Sequence, residues 1–579
     1  MKKSLAFFKH YLPLIFLVIL CLFGQAMCEL ALPSYMSDII DKGIIPGNMP
    51  YIYHTGISML IVTAFSVVFA ISAGFLASNT ASRACRNMRK ALFEKITSFS
   101  QKEFNQFQTA SLITRSTNDI QTVQQTSIMV MRMAFFAPAM GIGAMINALR
   151  TSPGLSWTIA TALVCIFIIM ALMLRIVMPK FSVLQKMLDR LNLIINERLS
   201  GLLVIRAFNS EEKEEKRFTK ANGDLTNLGI FVNKAMSFMF PSLTLVMNFT
   251  NILIVWAGAH MIDTGNLEIG NMLAFIQYAM HVITSFLVIT VMFVMVPRAL
   301  VSMRRISEVL EVEPAIVDKD QPVIPQEFKG HVAFNNVSFS YTDSEEKILE
   351  NVTFEAKPGQ TTAIIGSTGS GKSSLVNLIP RFYDVTEGSV TIDGIDVRDI
   401  PQHTLRDHIG VVPQKGLLFS GTIESNLKFG KEDATESEMI EALKTAQAYD
   451  FVMDMPSKLQ TPVSQGGTSV SGGQKQRLSI ARALIRKPEI FIFDDSFSAL
   501  DFETDKRLRS ALKDTVGNST FIIIAQRINT ILNAEQIIVL DDGKVAGIGT
   551  HQELLANNKI YQEIAYSQLS EEELKKEVL

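Results

Sequence analysis

The chain has 579 residues, 48% of them hydrophobic and 19% charged, with a formal net charge of −2. The length exceeds one domain, and the balance of charge excludes recruitment of nucleic acid by bulk electrostatics. The four cysteines (Cys21, Cys28, Cys85 and Cys165) have the spacing of neither a metal cluster nor a secreted disulfide framework.

The apolar residues crowd the first half of the chain. Residues 4–11 are amphipathic and predict a helix lying along a membrane surface. The apolar run that follows is too long for a signal peptide, contains Pro13 and Pro33, and precedes further spans, so it reads as an uncleaved first membrane helix. A bilayer core of roughly 30 Å needs about 20 apolar residues per helix. Six stretches qualify, at about 12–36, 57–79, 129–148, 157–179, 237–262 and 271–297. Very short connections join the last four in pairs, near residues 151–154 and 263–266. The connections 80–128 and 180–236 are long, helical in period and rich in cations, including Arg83, Arg86, Arg89, Lys90, Lys180, Lys186, Arg190 and Arg198. The positive-inside bias puts these, the N-terminus and the C-terminal half in the cytoplasm of a plasma-membrane protein.

Polar groups inside membrane spans are costly and face a cavity or a partner. Gln25, Glu29, Asn248, Asn251, Gln277 and His281 are therefore candidates for a cargo path, with the Glu29 carboxylate placed to attract cations or gate the outer side. The 27 methionines and 37 phenylalanines suit an adaptable apolar cavity or ordinary helix packing in lipid. The expected organisation is a membrane domain over 1–305, a polar linker over 306–329 and a second domain over 330–579.

From His331 onward, strand-like and helix-like segments alternate as in an α/β domain. The apolar run 362–365 enters Gly366, Ser367, Thr368, Gly369, Ser370, Gly371, Lys372 and Ser373, which is G-x-x-x-x-G-K-S, followed by Ser374. The glycines permit a tight loop whose N–H groups converge on phosphate oxygens, backed by a helix N-terminus. Lys372 then reaches the β- and γ-phosphates and the Ser373 hydroxyl ligates Mg²⁺. A second apolar strand, 490–493, ends in Asp494 and Asp495, an acidic pair suited to holding Mg²⁺ and aiming a water.

Ser471, Gly472, Gly473 and Gln474, within residues 469–477, resemble the signature of ABC ATPases, with Val470 where that family has leucine. In the same family Gln414 resembles the Q-loop glutamine, residues 498–501 the D-loop ending in Asp501, and Tyr341 the aromatic that stacks on adenine. Residues 114–119 and 197–208 are similar to the two intracellular loops of ABC exporters. The resemblance covers nearly the whole chain. It implies an α-helical membrane domain of six transmembrane helices, of ABC exporter type, fused to an α/β P-loop ATPase domain. It also implies ATP and Mg²⁺ as cofactors, with Ser373, Gln414 and Asp494 around the metal.

Two catalytic positions also depart from the family. Asp495 stands where the general base is normally glutamate, and Gln526 where a switch histidine is normal. A base must lie within about 3 Å of the attacking water, and Asp495 stops one methylene short. Gln526 cannot acquire positive charge. The resemblance then implies a heterodimer: a second, non-identical ABC half-transporter supplies an intact Walker-B glutamate and switch histidine, and this chain's signature completes the partner's ATP site. The expected function is multidrug-type export of hydrophobic or amphipathic small molecules through membrane lipids, with no nucleic acid involved. A dedicated lipid, peptide or haem exporter, a regulatory subunit that binds ATP and moves nothing, and a slow homodimer using Asp495 remain as alternatives.

Overall fold

The computed structural model describes residues 2–341 and 346–568. Contacts divide the chain into two units: Met1–Thr97 with Thr109–Val312, and Ser98–Gln108 with Glu313–Leu579. The principal helices up to the linker are α1 (Lys2–Lys9), α2 (Leu12–Asp38), α3 (Met49–Thr97), α4 (Gln101–Phe107), α5 (Ile120–Thr151), α6 (Ser156–Ser200), α7 (Glu211–Asp263) and α8 (Ile269–Glu311).

Six helices among the described residues are long and apolar enough to cross a bilayer, the spans built on α2, α3, α5, α6, α7 and α8. The sequence expects the long connections to be helical, and they are. The 49 residues of α3 rise about 74 Å at ~1.5 Å each, more than twice the roughly 30 Å of a hydrocarbon core. Small residues let these helices approach, as membrane packing requires. Ala73, Ala77 and Ala81 of α3 recur every fourth residue, are fully buried, and pack with Val18 and Leu22 of α2. Gly143 of α5 backs onto α2 so closely that a Cβ there would lie 2.3 Å from Leu30 Cδ1.

Two boundaries differ from the sequence expectation. Helix α8 runs through the expected linker start at 306 and ends at Glu311, and the division between units falls after Val312. Residues 304–311 are good helix formers, and Arg304 pairs with Glu308 one turn on at 3.6 Å. The short helix α4 groups with the second unit rather than with its chain neighbours. There the Ser100 amide and hydroxyl donate to Glu103 Oε2 (2.7 and 2.6 Å), while Glu103 Oε1 accepts the Ala315 N–H at 3.2 Å.

The remainder of the second unit is built on β1 (Val332–Phe339), β2 (Leu349–Ala356), β3 (Thr361–Gly366), β4 (Glu387–Ile392), β5 (Ile395–Asp396), β6 (Ile409–Val412), β7 (Ile490–Asp494), β8 (Thr520–Ile524), β9 (Gln536–Asp541) and β10 (Lys544–Gly549). One antiparallel sheet has the order β2-β1-β4-β5, and a six-stranded sheet has the order β10-β9-β3-β8-β7-β6. The six-stranded sheet is parallel except for edge strand β10. Its central strands are continuous apolar runs because both faces are covered. Ile522 and Ile524 enter one core with Phe334 and Ile364, while Phe521 and Ile523 enter the other with Phe491 and Phe493. Register sets Ile364, Asp494 and Ile524 side by side. The carboxyl ends of β3, β7 and β8 therefore meet at one edge, the place where open α/β sheets bind ligands.

Candidate active site

The loop leaving β3 is shaped by close approach and by backbone hand. A Cβ on Gly366 would lie 2.0 Å from the Leu540 carbonyl oxygen. Gly369 (φ +89°) and Gly371 (φ +92°) occupy the left-handed region that glycine tolerates best. Gly366→Ala must push β3 away from β9. It is expected to destabilise this unit by about 1–3 kcal/mol, the usual range for overpacking, seen as a lower melting temperature together with lost ATP binding.

Lys372 opens α9 (Lys372–Leu378) and folds back over the loop, its Nζ donating to the carbonyls of Gly366 (3.0 Å) and Ser367 (2.6 Å). Burial pushes the Lys372 ammonium down in pKa, against the raising influence of Asp494 and Asp495. Burial likewise pushes the Asp494 carboxyl up, offset by the Ser373 hydroxyl, which donates to Asp494 Oδ1 at 3.2 Å. Ser373 and Asp494 thus converge on one point at the strand ends, with Lys372 beside them. This is the oxygen-rich, half-buried donor set that fits a magnesium–phosphate group. Ser367, Thr368 and Gly369 form the exposed rim, and Ser370 is buried beneath it. The Tyr341 hydroxyl hydrogen-bonds with the Ser374 hydroxyl at 2.9 Å, and its ring meets Tyr383 edge-on at 5.2 Å.

Asp495 lies one residue beyond the strand, buried and at φ +46°. Its N–H donates to the Ile524 carbonyl at 3.0 Å, and its Oδ2 accepts from Gln414 Nε2 at 3.1 Å. Gln414 and Asp495 are thus in contact, next to the Ser373–Asp494 pair. Gln526 is exposed, and its backbone carbonyl accepts from Gln568 Nε2 at 2.9 Å. Asp501 caps α11 (Phe502–Val516), accepting the Thr504 N–H at 2.9 Å, a bond that holds its exposed carboxyl below the usual range.

The signature residues form their own structure. Ser471 caps α10 (Gly472–Leu484): its Oγ accepts the Gln474 N–H at 3.3 Å, while the Ser471 N–H donates to Gln474 Oε1 at 2.9 Å. Ser471 and Gln474 bond each other, not the P-loop of their own chain. Ser471 and Gly472 are exposed, and Gly473 is half-buried. The result is an outward-facing helix N-terminus suited to an anion.

Two family profiles match the sequence: "ABC transporter transmembrane region" over residues 15–286 and "ABC transporter" over 349–498. An uncharacterised ABC transporter ATP-binding protein of Mycobacterium tuberculosis is 38% identical over 564 residues, covering 97% of each chain. This chain belongs to the ABC transporter family. YgaD of Bacillus subtilis, whose name proposes multidrug export, is 30% identical over 574 residues, or 97% of this chain and 98% of YgaD. The fold is that of a bacterial Atm1-family ABC exporter solved with ATP bound, at a TM-score of 0.80 and 23% identity, over 96% of this chain and 98% of the other. With one membrane region and one ATPase domain it is an ABC half-exporter, which acts as a dimer among membrane lipids.

Two residues of the ABC domain that pattern reading does not single out tie its loops together. Gln476 is buried, accepts the Gly416 N–H at 3.0 Å and donates to the Pro413 carbonyl at 3.0 Å, so the signature helix grips both flanks of Gln414. Gln568 accepts the Ile528 N–H at 2.9 Å and donates to the Gln526 carbonyl, fixing the backbone around Gln526. The K-Q-R that follows S-G-G-Q is the only sequence signal for Gln476.

The membrane candidates of the half-exporter separate into two sets. Gln25 Nε2 donates to Glu29 Oε1 at 2.9 Å and Ser66 joins the same oxygen at 3.5 Å, while His281 is half-buried on α8. Asn248 and Gln277 are exposed on the unit, and Asn251 is half-buried with its Oδ1 unpartnered among the described residues.

Proposed function

We propose that this half-exporter is one subunit of a heterodimer whose own pocket holds Mg²⁺-ATP and cleaves it slowly. One observation carries the reading. The carboxylate of Asp495 is short, buried and bonded to Gln414, and Gln526, which cannot become cationic, fills the switch position. Phosphate-binding parts remain whole beside it: Gly366 through Ser374, with Ser373 and Asp494 set to hold Mg²⁺ along with Gln414. Ser471 to Gln474, with Ser471 and Gly472 exposed at the start of α10, complete the ATP site of the partner. That partner carries the glutamate and the histidine.

ATP binding closes the two ATPase domains, and hydrolysis at the partner's site resets them. The cargo is a hydrophobic or amphipathic compound, a class supported by the name of YgaD and by the polar cluster of Gln25, Glu29 and Ser66 within an apolar bundle. The cationic long connections support a plasma-membrane protein with a cytoplasmic N-terminus and ATPase domain.

The test compares the purified chain alone with the chain co-purified with its partner, in proteoliposomes. The lone chain is expected to bind ATP while turning it over at least about tenfold more slowly than the pair, as expected when a positioned base is lost. Brisk cargo transport by the lone chain overturns the reading.

A further inference from the structure

A cavity of about 830 Å³ opens at the end of the membrane unit that carries the short connections. It lies between α2, α5 and α8. Met27, Leu30 and Ile146 give it an apolar wall, and Tyr35, Asn147 and Arg150 give it a polar mouth. Asn147 and Arg150 are three residues apart on α5 and so share one face.

Arg150 is exposed and has no ion-pair partner among the described residues. Three acids at this end, Asp38, Asp41 and Glu268, are already engaged. Asp41 accepts the Gly270 N–H at 2.8 Å and the Ser37 hydroxyl at 3.2 Å. Asp38 pairs with Lys42 at 2.7 Å, and Glu268 accepts from Asn271 Nδ2 at 3.0 Å. Arg150 shares this end with Lys42, which is already paired with Asp38, while the cations of the membrane half otherwise gather in the long connections. A cation in the last turn of α5 gains a modest helix-dipole attraction. Lysine serves that purpose equally, and it needs no cavity. A guanidinium adds a planar fork of donors matched to carboxylate, sulfonate or phosphate.

We propose that this cavity is a subsite for the acidic headgroup of an amphipathic anion, with Arg150 as counter-charge and the Met27–Leu30–Ile146 wall taking the apolar tail. The inference rests on the exporter reading in treating the occupant as cargo. An anionic lipid headgroup offers the same chemistry.

The test uses the full chain in phosphatidylcholine nanodiscs, titrated with dansyl-undecanoic acid and with its carboxamide. The acid is expected to bind about tenfold more tightly than the amide, the worth of a charge-assisted hydrogen bond. Arg150→Gln is expected to erase that preference, and Arg150→Lys to keep part of it; both replace an exposed side chain and leave folding intact. Adding phosphatidylglycerol separates the sources. If lipid is the occupant, it displaces the acid from the wild type and stays bound in native mass spectrometry unless Arg150 is changed. If cargo is the occupant, acid binding is unaffected. Equal binding of acid and amide by the wild type, or an acid preference that survives Arg150→Gln, overturns the site. Acid-selective binding without ATP-driven movement of the probe by the pair keeps the site and overturns the cargo reading.

Discussion

Ser471→Arg is expected to lower ATP turnover and transport by the assembled pair about a hundredfold or more, the scale for losing a preorganised phosphate contact. Asp495→Asn is expected to change both by less than about twofold, because the proposed function gives Asp495 little part in cleaving ATP. The contrast follows from where the two residues sit. Ser471 caps α10 and faces outward, with Gly472 beside it. Arginine removes the capping hydroxyl, at about 0.5–2 kcal/mol, and fills the space in front of the first amides of the helix, where the proposed function puts the partner's phosphate. Asp495 is bonded to Gln414 within its own chain. Ser471→Thr keeps the hydroxyl and is expected to remain active, which separates loss of the contact from loss of the helix. Initial rates of phosphate release by the pair in proteoliposomes decide the matter. Full activity in Ser471→Arg means that this signature serves no working site, and collapse in Asp495→Asn means that the Asp495 site does.

Much of this architecture is written locally. Six apolar runs of membrane length and a glycine-spaced loop between a strand and a helix each declare themselves within about twenty residues, and both appear in the structure at those positions. The contacts that join distant segments were not legible. Gln476 reaches Pro413 and Gly416 across more than sixty positions of chain or close to it, and Gln568 reaches Gln526 over about forty. A neutral glutamine in a helix carries no pattern that names such partners. Glu29 stood out because a carboxylate in a span is expensive. Ser66, which shares its oxygen, did not, because serine is ordinary in membrane helices. The placement of α4 with the second unit accompanies Glu103 bonding the Ala315 amide, a tertiary contact invisible in the periodicity of residues 101–107.

Restoring both altered positions is the converse experiment. Asp495→Glu with Gln526→His is expected to raise ATP hydrolysis by the chain alone about a hundredfold, the lower end of what a positioned base supplies. Glutamate adds one C–C bond, about 1.5 Å, to a carboxyl group that now stops at Gln414. Histidine gives the exposed switch position a ring able to carry a proton near neutral pH. The backbone imposes a counter-cost. Residue 495 sits at φ +46°, a conformation that aspartate tolerates better than glutamate. The double variant is therefore expected to melt slightly lower than the parent, with a penalty of about 1 kcal/mol. Gln526→His alone adds no base and is expected to stay slow. If the double variant binds ATP as tightly as the parent and still fails to cleave it, then the slow cleavage proposed for this pocket comes from neither the short carboxyl nor the missing histidine. The cause then lies in the geometry that Gln476 and Gln568 impose on the loops around it.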